Sequence, residues 1–222
     1  MRDFHLPGRG PAFATAGMAA TSMPAATLTA LDVLRAGGNA LDAAVAACAV
    51  LCVIEPQSTG VGGDCFCLYA PSGTGQVIAL NGSGRAPEAA TIDWYEARGI
   101  AAIDPLSAHA VTVPGALGAW ERLLAAHGRK GLDELLRPAI RFAEEGWPVH
   151  PRVAWDWEEA QDRLRQPRGL RRQPCAGAGM MQQSVQILPH RAIFPGADVE
   201  RLVTVGLHGG AVNCMDQVGH RQ

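Results

Sequence analysis

The sequence predicts an α+β protein, and two observations lead to this prediction. Residues 24–55 form an alanine-rich, almost entirely apolar stretch with the pattern of two helices. Two short β-rich runs, CFCLYA (65–70) and QVIALN (76–81), are joined by PSGTG, which is typical of a hairpin with a longer, glycine-containing loop. With 222 residues, the chain is long enough for one core of ordinary size or for two small domains.

The apolar stretch divides into two helices at a pair of glycines. ATLTALDVLRAGG ends in Gly37-Gly38, and a helix C-terminus favours a glycine in the left-handed conformation. Asn39 is then predicted to cap a second helix, ALDAAVAACAVLCVIEP, which stops near Pro56. Because alanine side chains are small, we expect this pair to pack tightly against a sheet or another helix.

Several shorter segments and longer helices follow the hairpin. Thr91 is predicted to cap a short helix, TIDWYEARG, and HAVTVPG (109–115) predicts another strand. ALGAWERLLAAHG and GLDELLRPAIRFAEEGWPV carry apolar residues at helical spacing, and Pro138 is expected to mark a helix start or a kink in the second run. A final helix, HPRVAWDWEEAQDRLR, runs to about Arg165.

The character of the sequence changes after Arg165. The pattern predicts an N-terminal arm at 1–13, a regular part at 14–165 and an irregular tail at 166–222. The tail has short apolar runs but no sustained period and no clear helix boundaries. Since the first part is locally consistent and the tail is not, two explanations stay open. Either the tail is poorly ordered, or the reading frame was disturbed there.

Charge and hydropathy exclude several function classes. The net charge of −2 and the pI near 6.4 give no basic footprint for nucleic acid. The start lacks the apolar core of a secretory signal, and the longest apolar run, AAVAACAVLCVI, is shorter than the roughly 20 residues of a membrane span. We therefore expect a cytoplasmic protein without a membrane or nucleic-acid partner, in which the six cysteines are reduced.

The glycine-rich segment GVGGDCFCLY (60–69) resembles three kinds of site at first sight. A nucleotide-binding loop runs from a strand into a helix, whereas this one follows a helix and precedes a strand, so no nucleotide cofactor is predicted. A zinc site would need CxxC spacing, and the cysteines here are spaced CxxxC and CxC, so no metal is predicted. The remaining interpretation is a tight turn into a buried strand, with Cys65 and Cys67 on one face.

Five segments, in this order over about residues 14–165, resemble the γ-glutamyltransferase family of N-terminal-nucleophile (Ntn) hydrolases. The segments are GMAATSMPAAT, VLRAGGNALDAAVAACAVLCVIEPQSTGVGGDCFCLY, NGSGRAP, HAVTVPGALGAWERLLAAHG and LDELLRPAIRFAEEGWPV. The family also includes glutathione hydrolases, amidohydrolases and acylases. The Gly-Ser-Gly-Arg-Ala-Pro form, together with Gly-Gly-Asp at 62–64, is similar to the amidohydrolase branch.

The resemblance implies a fold and a chemistry. Members are precursors that cleave themselves into two subunits, and the new N-terminal threonine of the small subunit is the nucleophile, with its own α-amine as the base. Their fold is a four-layer αββα sandwich. The acyl-enzyme passes a γ-glutamyl or related acyl group to water, an amino acid or a peptide. By resemblance, this chain is part of the large subunit and forms a partial sandwich that lacks the nucleophile-bearing small subunit.

Two departures from the family pattern stand out, and the first bears on activity. The family's small subunit begins with threonine followed by histidine or a similar residue, and no threonine from Thr15 to Thr204 is followed by histidine. The glycine pair that supplies the family's oxyanion hole also belongs to the small subunit. We therefore expect no catalytic residue in this chain and no activity from it alone. We also expect marginal stability and aggregation, because a sheet without its partner strands leaves open edges and uncovered apolar surface.

The second departure concerns the substrate. Glutathione-using members carry an arginine before the Ala-Pro that holds the substrate α-carboxylate, and the position matching it here is Ser83. Arg85 lies two residues later, and its guanidinium fork suits a carboxylate; a structural anchor is the alternative. Ser83 and Asn81 are candidates for lining the same pocket, or they shape the turn that Asn-Gly favours. The expected substrate is therefore a small acyl amide or a γ-glutamyl compound, with glutathione itself disfavoured.

A second hypothesis stays open beside the enzyme-family one. The chain is then a non-catalytic pseudoenzyme or a module that binds small acids. The genomic sequence downstream distinguishes the two, since an interrupted enzyme gene is followed by the threonine-led small subunit.

Overall fold

In a computed structural model, the structure describes residues 12–72, 74–104, 107–165, 203–207 and 210–216. The helices are α1 Pro24–Arg35, α2 Ala40–Ile54, α3 Ile92–Glu96, α4 Ala116–His127, α5 Leu132–Glu145 and α6 Pro151–Arg165, with a 3₁₀ turn at Ala108–Ala110. The strands are β1 Gly17–Ala20, β2 Cys65–Tyr69, β3 Ile78–Gly82, β4 Val203–Leu207 and β5 Gly210–Asp216. The predicted α+β class is confirmed.

The five strands form one sheet in the order β1-β5-β4-β2-β3, and every neighbouring pair is antiparallel. The predicted hairpin is the β2–β3 pair, in which Cys67 lies opposite Leu80. Its connecting loop contains Gly75 in the left-handed conformation (φ +63°), which a residue with a side chain adopts less readily. β1, β4 and β5 were not predicted from the sequence.

Helix α2 is the centre of the core, since thirteen of its fifteen residues are buried. Asn39 caps it as predicted: its side chain accepts hydrogen bonds from the N–H groups of Leu41 and Asp42. Asp42 returns a carboxylate oxygen to the N–H of Asn39, which completes a capping box. The predicted left-handed glycine after α1 is also confirmed, because Gly37 has φ +85°.

One face of the β2–β3 hairpin packs against the helices. Cys65 and Cys67 are buried there in one cluster with α2 and with Trp120 of α4. Alternation places Phe66 and Leu68 on the opposite face, where they are 43% and 52% exposed. The sheet therefore has one face covered by helices and one apolar face that is open at β2.

The prediction of a strand at 109–115 was wrong. The structure has the 3₁₀ turn Ala108–Ala110 followed by an irregular segment. The backbone N–H groups of this segment bond to loops instead of to a strand: Val113 donates to the Arg85 carbonyl and Gly115 to the Gly63 carbonyl. A short β-branched run fits either an edge strand or an extended loop, and tertiary contacts decide between them.

Two other predicted helices are confirmed, and a third differs in one detail. Thr91 caps α3 by accepting a hydrogen bond from the N–H of Trp94, and α6 ends at Arg165 as predicted. Helix α5 runs continuously through Pro138, so this proline does not start a new helix.

The tail 166–222 contains β4 and β5, which the sequence pattern did not predict. The remainder of the tail and most of the arm 1–13 lie outside the described residues, so the division of the chain at residues 13 and 165 stays a prediction. Among the helices that the structure describes, none combines the length and the apolar character needed to cross a bilayer.

Candidate substrate-binding site

The three predicted binding residues lie where β3 leaves the sheet. Asn81 is the next-to-last residue of β3, and Ser83 and Arg85 follow the end of this strand. All three are exposed. The structure therefore brings the three residues to one surface segment at the end of the hairpin.

Asn81 lies directly opposite Phe66 in the β2–β3 register, and both side chains are exposed. Paired residues in an antiparallel sheet point to the same side. Asn81 thus belongs to the open face, beside the apolar side chain of Phe66. Its Oδ1 also accepts a hydrogen bond of 2.9 Å from the N–H of Ser83, which is the turn-shaping role that Asn-Gly predicts.

Ser83 has a local role in the structure. Its N–H donates to Asn81, and its hydroxyl donates to the Gly84 carbonyl at 3.4 Å. Both contacts stabilise the turn. The alternative, that Ser83 and Asn81 also line a pocket, stays a prediction.

Arg85 combines a fixed backbone with an exposed side chain. Its carbonyl accepts a hydrogen bond of 3.1 Å from the N–H of Val113. Among the residues that the structure describes, its guanidinium has no hydrogen-bond or ion-pair partner. Both roles given for Arg85, a substrate contact and a structural anchor, stay predictions.

Three loops meet around Arg85, and we call this region the loop junction (60–64, 82–85 and 113–116). The Gly63 carbonyl accepts hydrogen bonds from the N–H groups of Gly115 and Ala116, at 3.1 and 3.0 Å, at the start of α4. Asp64 Oδ1 accepts a hydrogen bond of 2.9 Å from the N–H of Gly84. The glycine-rich segment thus ties the entry of β2 to the exit of β3 and to the start of α4.

Glycine is required in the loop junction because backbones approach closely. A Cβ on Gly84 would lie 1.7 Å from the Val113 carbonyl oxygen, and one on Gly115 would lie 2.1 Å from the Gly82 carbonyl oxygen. Neither glycine has a positive φ, so close approach, not backbone conformation, explains both. The sequence alone indicated a tight turn here but did not indicate the second and third loops.

The hydrogen bond that Asp64 accepts joins two segments that are far apart in the sequence. Its donor is the backbone N–H of Gly84, twenty residues along the chain. The Gly-Gly-Asp motif gave no signal for the partner, because a long-range contact of this kind depends on how the hairpin folds back.

The cysteines in and beside α2 have raised thiol pKa values. Burial raises the pKa of the Cys65 thiol to about 11 and those of Cys52 and Cys67 to about 12, so all three are thiols at neutral pH. Within the part of the chain that the structure describes, no three His, Cys, Asp or Glu residues are placed to hold a metal ion.

Glu55, at the end of α2, is buried, and its carboxylate accepts a hydrogen bond from the Ser22 hydroxyl. Burial raises the pKa of this carboxyl, and the nearby negative charge of Asp156 raises it further. Gln57 bonds to Asp156 and Trp157 of α6 and therefore connects this region to α6.

A cleft of about 360 Å³ lies elsewhere, between α1 and α5. Thr29, Val33 and Leu135 contribute to its lining, and Lys130 and Glu134 form an ion pair at its edge. Asn81, Ser83 and Arg85 do not line it.

Comparison with known proteins identifies the family. The gamma-glutamyltranspeptidase family matches residues 26–189, well over half of the sequence. The chain belongs to this family. The matched residues include the central helix α2, the hairpin and the loop junction.

Individual relatives extend the comparison. The glutathione hydrolase-like YwrD proenzyme of Bacillus subtilis is 41% identical over 117 residues, which are 53% of this chain and 22% of the relative. The oxamate amidohydrolase proenzyme of Klebsiella pneumoniae is 39% identical over 141 residues, which are 61% of this chain and 26% of the relative. The solved cephalosporin acylase from Bacillus halodurans is 44% identical with a TM-score of 0.67, and the match covers 74% of this chain and 31% of that one.

These relatives confirm the family resemblance, including its amidohydrolase branch. The chain spans only about a fifth to a third of the length of these relatives.

Proposed function

We propose that this chain supplies the carboxylate-binding part of an amide hydrolase or acyltransferase of the gamma-glutamyltranspeptidase family. The nucleophile comes from a threonine-led partner subunit. The observation that carries the proposal is Arg85, whose backbone is hydrogen-bonded to Val113 while its guanidinium is exposed and has no partner among the described residues.

The open face of the sheet supports a partner subunit. Phe66 and Leu68 are large apolar residues, and both are about half exposed beside Asn81. An apolar sheet face is stable when a second layer covers it. In an αββα sandwich that layer is the second sheet, so we assign the described sheet and its helices to one αβ half and the partner subunit to the other. The substrate residues then lie at the boundary between the two halves.

The substrate is a small acyl amide that carries a carboxylate. A guanidinium binds a carboxylate through two parallel hydrogen bonds, which fixes the position of the amide relative to Arg85. Oxamate, in which a carboxylate is joined directly to an amide, is the simplest compound of this class. It appears in the name of the Klebsiella relative, an oxamate amidohydrolase proenzyme. γ-Glutamyl amides also belong to this class. In this chain, Ser83 stands at the position of the arginine that glutathione-using members carry.

A matched pair of ligands tests this function. Oxamate and oxamide differ in one group, since the carboxylate of oxamate is replaced by a second amide. Titration of the 222-residue chain, followed by NMR of arginine side-chain N–H signals, is expected to show saturable binding of oxamate and none of oxamide. Equal responses to both ligands, or no response to oxamate, would contradict a carboxylate site.

The same samples test the division of labour between subunits. Because the chain holds no nucleophile in this proposal, purified chain is expected to release neither ammonia from oxamate nor p-nitroaniline from γ-glutamyl-p-nitroanilide. Robust turnover would show that a nucleophile lies within the chain and would overturn the assignment to a partner.

A further inference from the structure

We propose that Asp64 is a positioning residue for Arg85: its carboxylate holds the loop that presents the guanidinium to a substrate carboxylate. This inference rests on the proposed function, in which Arg85 binds that carboxylate. Asp64 does not touch the substrate in this account. It acts through the backbone of Gly84.

The contact that carries the inference joins two loops. Asp64 Oδ1 accepts a hydrogen bond of 2.9 Å from the N–H of Gly84, and Asp64 itself is half-buried. Gly84 directly precedes Arg85, so this bond fixes the chain immediately before the arginine. A carboxylate oxygen bonded to a backbone N–H is among the stronger hydrogen bonds in proteins.

A second contact holds the other side of Arg85. Its carbonyl accepts a hydrogen bond of 3.1 Å from the N–H of Val113. The loop also lies directly against this segment, because a Cβ on Gly84 would come within 1.7 Å of the Val113 oxygen. The backbone of Arg85 is therefore held between Asp64 on one side and Val113 on the other.

The side chain of Arg85 needs this support because it has none of its own. It is exposed, and within the described residues no other side chain orients its guanidinium. A binding group is effective when its own position is fixed by its surroundings, so here the backbone must supply the order. Without the Asp64 carboxylate, the Gly84 N–H loses its partner and the loop samples other positions.

Charge gives a way to separate positioning from electrostatics. An extra carboxylate beside an anion site repels the substrate, so Asp64 weakens binding by its charge while it strengthens binding by its hydrogen bond. Asp64→Asn keeps an oxygen acceptor and removes the charge. Asp64→Ala removes both, and Asp64→Ser withdraws the acceptor from Gly84 while keeping a small polar group.

The test measures oxamate affinity and loop order on the same variants of the full chain. In Asp64→Ala and Asp64→Ser, the oxamate Kd is expected to rise roughly threefold to tenfold, because the binding-competent fraction of the loop falls by that factor. The ¹⁵N heteronuclear NOE of the Arg85 amide is expected to fall as well. In Asp64→Asn, the oxamate Kd and the Arg85 NOE are expected to stay near the wild-type level, because the amide oxygen gives a weaker hydrogen bond but no longer repels the substrate.

Thr91→Ala is the matched control. It also removes a side-chain oxygen that accepts from a backbone N–H, that of Trp94, but outside the loop junction. It is expected to lower thermal stability slightly without changing the oxamate Kd.

Each outcome bears on the inference. If wild type binds oxamate and Asp64→Ala or Asp64→Ser binds it equally well with an unchanged Arg85 NOE, the positioning role is wrong while the proposed function stands. If Asp64→Asn loses as much affinity as Asp64→Ala, the effect is not the hydrogen bond, and the inference is overturned. If wild type binds oxamate no better than oxamide, the proposed function fails, and the positioning role of Asp64 fails with it.

Discussion

Phe66 of β2 lies opposite Asn81 of β3, and both side chains are exposed on the face of the sheet that points away from α2. Phe66 belongs to the exposed apolar face of the sheet, and Asn81 is the first residue of the candidate substrate-binding segment. In the proposed function, the substrate site and the interface with the partner subunit are therefore neighbours.

Polar substitutions at Phe66 and Leu68 test whether this apolar face is a surface that another layer covers. Phe66→Gln combined with Leu68→Gln is expected to reduce self-association of the isolated chain, because apolar exposed area drives aggregation. Since both side chains are about half exposed, we expect a change in unfolding free energy within about 1 kcal/mol. Dynamic light scattering and urea denaturation measure the two effects.

Leu28→Gln on α1 is the control for that pair, because Leu28 is also about half exposed but lies on a helix. It is expected to leave aggregation unchanged. Equal improvement from the control would show that general polarity, not the sheet face, limits solubility.

The N-terminus of α2 is expected to be a critical point for stability. Asp42 is fully buried, and its oxygens accept hydrogen bonds from the N–H groups of Asn39 and Arg129, at 2.8 and 3.0 Å. Asp42→Ala leaves these donors without partners and is expected to cost about 2–4 kcal/mol. Asp32→Ala, at an exposed ion pair, is expected to stay within about 0.5 kcal/mol in the same urea titration.

Alanine substitutions at two glycines are expected to change stability in opposite directions. Gly84→Ala places a Cβ 1.7 Å from the Val113 oxygen and is expected to destabilise the protein by about 1–3 kcal/mol. Gly118 lies in α4 with no atom within 4 Å of an added Cβ, so Gly118→Ala is expected to stabilise by about 0.5–1 kcal/mol. Thermal melts of the two variants should shift in opposite directions, and a rise for Gly84→Ala would contradict the close approach.

The buried carboxyl of Glu55 predicts a pH dependence. Burial is the main cause of its raised pKa, so the ionised form is disfavoured in the folded state. Its contribution to stability therefore decreases as the pH rises from below the unfolded-state pKa, near 4.5, through the raised folded-state pKa. Glu55→Gln removes this term, so the stability of the variant relative to wild type is expected to increase from pH 4 to pH 7. A relative stability that falls over this range in urea titrations would contradict the direction of the shift.

Local signals in the sequence predicted much of the regular structure. Asn39, Thr91 and Gly37 cap or end helices where their side chains and backbone preferences indicated. The alternation in CFCLY correctly placed Cys65 and Cys67 on the buried face. These features depend on contacts within a few residues, which is why the sequence alone carries them.

Long-range contacts explain what the sequence did not predict. The segment 109–115 has strand-forming residues, but its N–H groups bond to the loops at Gly63 and Arg85. Strands β4 and β5 pair with β2 and β1 across long sequence separations, and their pattern gave no sustained period. The candidate site showed the same limit: Arg85 was predicted from its motif, but the bond from Gly84 to Asp64 depends on the fold of the hairpin.

The oxamate affinity of Arg85→Gln, measured beside that of Arg98→Gln, tests whether Arg85 binds a substrate carboxylate. Arg98 is also an exposed arginine, but it bonds to the Trp94 carbonyl and lies over the Trp94 ring. Isothermal titration is expected to show that Arg85→Gln raises the oxamate Kd by roughly tenfold to a hundredfold, the effect of losing a hydrogen-bonded charge pair. Arg98→Gln is expected to bind like wild type. Equal affinity in wild type and Arg85→Gln would contradict the account.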